Sequence, residues 1–281
     1  IVEHAGFLRP MNNQKTLLMN DYSVSQTVIT SIEVECRRNP EKETGGILVG
    51  ARTETRSFVT HCSGPGVIWS SSAHHFTKDT DYMQQVLNLL YEYFGVNYLG
   101  LWHKHPVEYP LPSDQDISNA MTEISELDIG LEELLTPVCF LTDDTVQISP
   151  FVIREGHAHR IDWEIVPDKH LPDIGVLERN WYDAPAGRDR LRDEVRKLEH
   201  YNLDVAISKG DDGRCRIRVT NKKRKDRELV FLCPTDYPVS APHTAILDKE
   251  TGSYLPVSSQ HLNDWTLYRS MLDLASELDF V

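Results

Sequence analysis

The residues whose types and spacing carry the most chemistry are His103-Lys104-His105 and, eleven positions on, Asp116. Side chains along a strand repeat with a period of two, so the two imidazoles project from one face and can grip a single ion. Asp116 falls within Leu111-Pro112-Ser113-Asp114-Gln115-Asp116, where the chain leaves a proline-rich loop and enters a helix. Its carboxylate can therefore fold back as a third ligand. Two imidazoles and one carboxylate hold zinc with a fourth position left for water, the open arrangement that separates hydrolytic sites from structural ones. Each piece also has a plainer reading. The chain has 12 histidines, enough to yield a His-x-His by chance, and Ser113-x-x-Asp116 is a helix start of the capping-box kind. A second pair, His157-Ala158-His159, is a built-in control: no Ser-x-x-Asp follows it, and it reads as solvated histidines in a hairpin turn. His74-His75, just ahead of a helix, reads as a non-ligand pair.

The elements that must position these residues alternate between strand and helix from Lys15 to about Pro167. Short strands are predicted at Thr16–Met19, Gly46–Val49, Tyr98–His105, Val138–Leu141, Val146–Ile153 and Ile161–Val166, and helices at Val24–Arg38, Asp79–Phe94 and Ser113–Leu127. This is an α/β pattern. Between Pro167 and Gly187, Pro167, Pro172, Pro185, Gly175 and Gly187 break the periodicity, as in a connection between domains. Beyond it the pattern predicts a helix at Arg188–His200, strands at Leu203–Ser208, Arg214–Val219, Leu229–Leu232 and Thr244–Leu247, and a last helix over Trp265–Leu278, a smaller α+β domain. The domain reading is a first unit over 1–170, a linker over 171–186 and a second unit over 187–281.

Two units also suit the length, 281 residues against roughly 150 per domain. With 43 acidic and 29 basic residues the formal charge is -14, the wrong sign for gripping nucleic acid or anionic lipid over the whole surface. No apolar run approaches the ~18 residues needed to cross a bilayer. The start, Ile1-Val2-Glu3-His4, has neither Met nor a signal layout, and is expected to be trimmed or processed. Five scattered cysteines without a CxxC point to a reducing cytoplasm. Trp69 and Trp102 read as core or pocket-wall aromatics, and Cys62 and Cys139 as inert buried thiols.

Taken together, Glu43-Thr44-Gly45-Gly46-Ile47-Leu48-Val49-Gly50, Gly100-Leu101-Trp102-His103-Lys104-His105-Pro106 and Pro112-Ser113-Asp114-Gln115-Asp116 resemble the signature of the JAB/MPN+ (JAMM) zinc metalloproteases, E…HxHx7SxxD. Seven residues, Pro106 to Pro112, separate His105 from Ser113 as that pattern requires, and the likeness spans residues 15 to 166. The resemblance implies a mixed sheet flanked by helices, one zinc on His103, His105 and Asp116, Glu43 as general base and Ser113 as oxyanion stabiliser. A carboxylate beside a zinc-activated water suits those roles, since it can take a proton and return it to a leaving amine.

In the second unit, Leu229-Val230-Phe231-Leu232-Cys233-Pro234-Thr235-Asp236-Tyr237-Pro238-Val239-Ser240-Ala241-Pro242 with a downstream Trp265 resembles the ubiquitin-conjugating (E2) or RWD fold. That fold's catalytic cysteine would lie between the last strands and the tryptophan, and Thr251 to Asn263 contains none. Cys233, in a strand, reads as structural, and Lys222-Lys223-Arg224-Lys225-Asp226-Arg227 as a solvated hairpin tip. The expected function is a cytoplasmic zinc-dependent isopeptidase or peptidase that removes a ubiquitin-like modifier from conjugates or precursors. The setting implied is a bacterial conjugation or antiviral defence pathway, with the modifier, its conjugates and E1-like or E2-like proteins as partners. Two other readings stay open: a catalytically silent MPN-type scaffold, and a hydrolase of sulfur-carrier-protein adducts.

Overall fold

The computed structural model describes residues 21–281 apart from 54, 73–74, 127–129, 144, 169–179 and 210–213. The strand predicted at Thr16–Met19 and most of the connection at 171–186 lie outside the described residues. In chain order the elements are β1 (Asp21–Ser25), α1 (Gln26–Arg38), β2 (Thr44–Arg52), β3 (Arg56–Cys62), β4 (Ser70–Ser72), β5 (His75–Thr77), α2 (Thr80–Phe94), β6 (Asn97–Lys104), α3 (Asp114–Glu126), β7 (Leu134–Leu135), β8 (Val138–Thr142), β9 (Thr145–Ser149), β10 (Phe151–Arg154), β11 (His157–Arg160) and β12 (Trp163–Val166). Then come α4 (Pro185–His200), β13 (Leu203–Lys209), β14 (Cys215–Asn221), β15 (Arg224–Cys233), β16 (His243–Asp248), β17 (Tyr254–Pro256), α5 (Gln260–Asn263) and α6 (Met271–Glu277).

The first group builds a mixed sheet in the order β11-β10-β7-β6-β2-β3-β1-β12, with β8 and β9 continuing from β6. Helix α1 covers one face, burying Val28, Ile29, Ile32 and Cys36 at helical spacing against Leu48, Trp102 and Cys139. Its start is capped by the Ser25 hydroxyl, which accepts from the Thr27 amide, and Arg37 and Arg38 stand at its negative end. Helix α2 covers the other face with Tyr82, Met83, Val86 and Leu90, against Ile47, Val49 and Tyr98. Gly95, in the left-handed conformation at φ 65, closes it.

Strand β2 lies close to its neighbours where two glycines follow its first residue, Thr44. A Cβ at Gly45 would stand 2.5 Å from the Trp102 carbonyl oxygen, and one at Gly46 would stand 2.0 Å from that of Ser63. The register that results pairs Thr44 with Lys104 and Gly45 with His103.

Three sequence expectations are corrected and one strand is added. Val24 belongs to β1, because Ser25 caps the helix after it. Strand β3 was not predicted; its polar Arg56, Ser57 and Thr60 mask the apolar pattern. The single strand expected over Val146–Ile153 is two, β9 and β10, separated at Pro150, which has no N–H for a ladder. The helix expected over Trp265–Leu278 is absent as such. Ser259 caps the short α5 and Ser270 caps α6 through a box with Asp273, leaving Trp265 between them, its indole N–H on the Pro238 carbonyl at 2.9 Å.

The second group is helix α4, with Pro185 at its first turn, then an antiparallel sheet β13-β14-β15-β16-β17, then α5 and α6. Just ahead of α4, Trp181 and Tyr182 are buried. One buried apolar cluster runs from Tyr82, Val86 and Leu90 to Trp181, Tyr237, Leu267 and Met271. Polar ties follow the same seam: the Ala186 amide donates to Glu92 at 2.7 Å and the Gln85 amide to the Tyr268 hydroxyl at 2.8 Å. Inside the second group, fully buried Glu194 accepts from the Tyr237 hydroxyl at 2.5 Å and from the Met271 amide at 2.9 Å and pairs with Arg190 at 2.6 Å. That network pins α4, the Tyr237-Pro238 turn and the start of α6 together. Among the described residues no helix is long and apolar enough to cross a membrane.

Candidate metal centre

Strand β6 and the residue that follows it carry His103 and His105 to the face covered by α2 and α3, while Trp102 and Lys104 point to the α1 face, with Lys104 beside Cys36 and Cys139. The two imidazoles face each other, Nε2 to Nε2 at 3.0 Å, with ring centroids 4.8 Å apart. The chain then runs through the proline-rich loop to α3, whose first turn brings Asp116 back. Its Oδ2 lies 3.4 Å from His103 Nε2 and 3.8 Å from His105 Nε2. Among the described residues these are the one group whose ligand atoms converge, all within 4.8 Å of one another.

Several contacts orient the group. His105 Nδ1 is 2.8 Å from the Tyr109 carbonyl, and since a carbonyl only accepts, Nδ1 carries the proton. In the neutral ring Nε2 then presents its lone pair to the cluster, the usual arrangement behind a ligating histidine. Asp116 is fixed through the same oxygen: Oδ2 accepts from the Ser113 amide at 2.7 Å and from the Ser113 hydroxyl at 2.6 Å. The Asp116 amide donates back to Ser113 Oγ at 3.2 Å, so the capping box and the third ligand position are one structure. Ser113 Oγ is thus both cap and donor to Asp116, and must turn to donate elsewhere.

Electrostatics follow from this closeness. Burial favours a protonated Asp116, but bonds from His103, His105 and Ser113 outweigh it and hold the carboxyl well below the usual range. For His105 burial opposes protonation, yet Asp116, the Tyr109 carbonyl and the field of Glu43 together raise its affinity for a proton. A site that gathers so much negative potential around two imidazoles attracts a cation. The donor set, two nitrogens and a hard oxygen with second contacts in place, fits a zinc ion.

Glu43 precedes β2 by one residue. Since Thr44 is level with Lys104, Glu43 is level with His105, next to the cluster but outside the converging set. The control pair behaves differently. His157 and His159 sit in strand β11, not in the turn itself; both are exposed, their centroids are 6.4 Å apart, and no carboxylate joins them in a converging group among the described residues. Placement of His74 lies outside the described residues. Trp102 is core, as expected. Of the thiols, Cys139 is buried and Cys62 partly so, with burial first among the causes that push Cys62 up to about 12.

One residue at the site went unnoticed in the sequence. Lys104, between the two histidines, is completely buried and donates to the carbonyls of Pro40, Lys42 and His105. The period-two argument that turns both histidines to one face turns Lys104 into the core, a signal that could have found it.

Residues 25–153 match the family described as prokaryotic homologs of the JAB domain. A protein of Escherichia coli (strain TW11681), named CD-NTase/cGAS isopeptidase, is 32% identical over 124 residues, which cover 39% of this chain and 74% of that relative. The chain belongs to the JAB family. Its family portion runs from the cap of α1 to β10 and contains the whole converging cluster with Glu43 and Ser113. Two solution structures are also similar to this JAB protein. One, from Desulfitobacterium hafniense, is 17% identical with a TM-score of 0.43 and covers 53% of this chain and 97% of its own. The other, from Salinibacter ruber (strain DSM 13855), is 18% identical at 0.38 and covers 53% and 94%. Neither likeness is close enough to carry an argument.

Proposed function

We propose that the protein is a zinc-dependent isopeptidase of the JAMM type, acting on conjugates of a ubiquitin-like modifier or of a CD-NTase/cGAS-type enzyme in a bacterial conjugation or defence pathway. The observation that carries this reading is the convergence of His103 Nε2, His105 Nε2 and Asp116 Oδ2 within 3.8 Å of one another, with Glu43 just ahead of the β2–β6 ladder and level with His105. His103, His105 and Asp116 would hold the metal. When bound, zinc supplies Lewis acidity, polarising a carbonyl and drawing the pKa of water toward about 7.

The chain's own residues do the rest. The Glu43 carboxylate accepts a proton from the attacking water and passes it to the lysine or α-amine that leaves. Asp116, already held ionised, keeps its oxygen on the metal side and does not compete for that proton. The Ser113 hydroxyl, released from Asp116 by rotation, donates to the oxygen that gains charge as the carbonyl turns tetrahedral. The Tyr109 carbonyl keeps His105 in the tautomer that faces the site.

The second unit, over 187–281, is proposed as an E2/RWD-like module without thioester chemistry. Its order of helix, strand meander and helices supports this, as does the buried Tyr237-Pro238 turn under Trp265. Cys233 is fully buried, and its hydrogen bond with Cys215, together with burial, pushes the thiol far up. No exposed cysteine is available as a nucleophile, since all five are buried or half-buried.

The test is to incubate the purified chain with a CD-NTase–green fluorescent protein fusion and, separately, a ubiquitin–green fluorescent protein fusion, with and without a zinc chelator. Cleavage of at least one, stopped by chelator and restored by zinc, is the expected result. Binding without cleavage in zinc-replete buffer would contradict an enzyme and favour the scaffold.

A further inference from the structure

We propose that Lys104 is a positioning residue for Glu43: its ammonium ties the loop entering β2 to the exit of β6, holding the proton-transfer carboxylate and the histidine pair as one unit. This rests on the zinc hydrolase reading above and adds to it a residue that does not touch substrate or metal.

The Lys104 side chain is fully buried on the α1 face of the sheet, the face opposite the histidines. An ammonium has three protons, and each has one carbonyl here: Pro40 at 2.9 Å, Lys42 at 3.0 Å and His105 at 3.1 Å. The Lys42 carbonyl belongs to the peptide unit whose N–H is that of Glu43. The His105 carbonyl likewise belongs to the peptide unit that carries the chain out of the metal strand. One cation therefore fixes the peptide plane entering Glu43 and the plane leaving His105. On the other flank, Glu35 Oε1 accepts from Asn39 Nδ2 at 2.7 Å and from Thr44 Oγ1 at 3.0 Å, so Glu43 is clamped on both sides.

A buried ammonium is costly, and at Lys104 carbonyl dipoles alone satisfy its hydrogen bonds. An apolar side chain would fill the same core position without that cost. What it could not do is hold three carbonyls from two separate segments. His103 and His105 have further holds that do not involve the ammonium, the β6 ladder with β2 and β8 and the Tyr109 contact. Losing the ammonium should therefore loosen the Glu43 side of the site more than the metal side.

The experiment uses the full chain with Lys104→Met, which keeps the stem and removes the charge, and Lys104→Gln, which keeps two N–H donors. In metal-free protein, hydrogen–deuterium exchange is read on peptides covering 39–44 and 114–126. In zinc-loaded protein, metal content, kcat and KM are read on whichever fluorescent fusion the wild type cleaves, in the wild-type and Glu43→Gln backgrounds. The expected result is faster exchange over 39–44 with 114–126 unchanged, full zinc content, kcat down by about tenfold or more and KM within about twofold. In the Glu43→Gln background Lys104→Met should cost nothing further, because the two act through one group. Unchanged exchange over 39–44, zinc lost in step with activity, or the same fold loss in the Glu43→Gln background would each overturn the assignment. So would failure of both variants to fold, which would make Lys104 a folding residue. A wild type inactive on both fusions would contradict the hydrolase reading, and exchange in the metal-free protein would still decide the tether.

Discussion

Two His-x-His pairs lie in one sheet of this molecule, and among the described residues only one converges with a carboxylate. His103 and His105 end a strand with neighbours on both sides, β2 on one and β7 and β8 on the other, and they are mostly buried under α3. His157 and His159 occupy the outermost strand, β11, with both rings in solvent. The difference extends to what holds each ring. His105 gives its Nδ1 proton to Tyr109 in a loop that goes on to bring Asp116 back, whereas the His157 Nδ1 contact is to Glu155, two residues away in its own turn. Strand periodicity alone pairs the rings; a crossing of strand, loop and helix start makes a third ligand and a low-dielectric setting. Convergence of ligand atoms is a property of that crossing, not of the His-x-His spacing.

The sharpest way to break the comparison is to remove one ring from each pair. His103→Ala should lose stoichiometric zinc and lower cleavage by about a thousandfold or more, since one ligand of three is gone. His157→Ala with His159→Ala should leave both within about twofold, as surface changes do. Metal analysis and a cleavage assay on the same samples decide it, and zinc loss from the second variant would mean the two pairs are alike.

Glu43→Gln comes next. The amide cannot accept a proton, so kcat should fall by about a hundredfold to ten-thousandfold while zinc content stays at one per chain. Near-normal turnover with zinc in place would remove Glu43 from the base role and leave the site defined by its ligands alone.

The pH dependence sharpens the electrostatic half of the comparison. In the metal-free protein His105 titrates above its ordinary value, so its stabilising contribution is full below about pH 6.5 and is lost as pH rises through the folded value. Asp116 titrates below its ordinary value, so its contribution is present above about pH 4 and is lost only as pH falls toward the depressed folded value. Zinc must displace the proton from His105. The rise in unfolding midpoint on adding zinc should therefore be larger at pH 8 than at pH 6, and equal rises at the two pH values would contradict the coupling drawn here.

Among the site variants, Ser113→Ala has the smallest expected effect on turnover. It removes the cap of α3 at a cost of about 1 kcal/mol and lowers kcat by about ten- to a hundredfold through the lost donor. Thermal unfolding followed beside kinetics separates the two; a stability loss without a kinetic one would leave Ser113 a cap only.

Much of this site was legible because its determinants are local. The period of a strand, the Ser-x-x-Asp helix start and a seven-residue loop place His103, His105 and Asp116 without knowledge of the rest. The sequence pattern predicts a strand from Gly46, and only the packed sheet reveals that Gly45 and Gly46 let β2 close onto Trp102 and Ser63. Lys104 escaped because a lysine is expected at the surface, and its three acceptors are backbone carbonyls that no side-chain pattern encodes. The last helix was misplaced because Trp265 looked like its first residue, while the capping that decides it lies five residues later at Ser270. Burial also closes long distances in sequence: Glu194 reaches Tyr237 and the start of α6 across 43 and 77 residues, contacts with no local signature.

The central claim is that the His103–His105–Asp116 cluster is a metal centre that serves hydrolysis. The most direct test strips the wild-type chain with chelator and titrates zinc back while following cleavage of the fusion it acts on. The account predicts activity rising in proportion to zinc and levelling at one equivalent per chain. Undiminished turnover in protein stripped of zinc would contradict it.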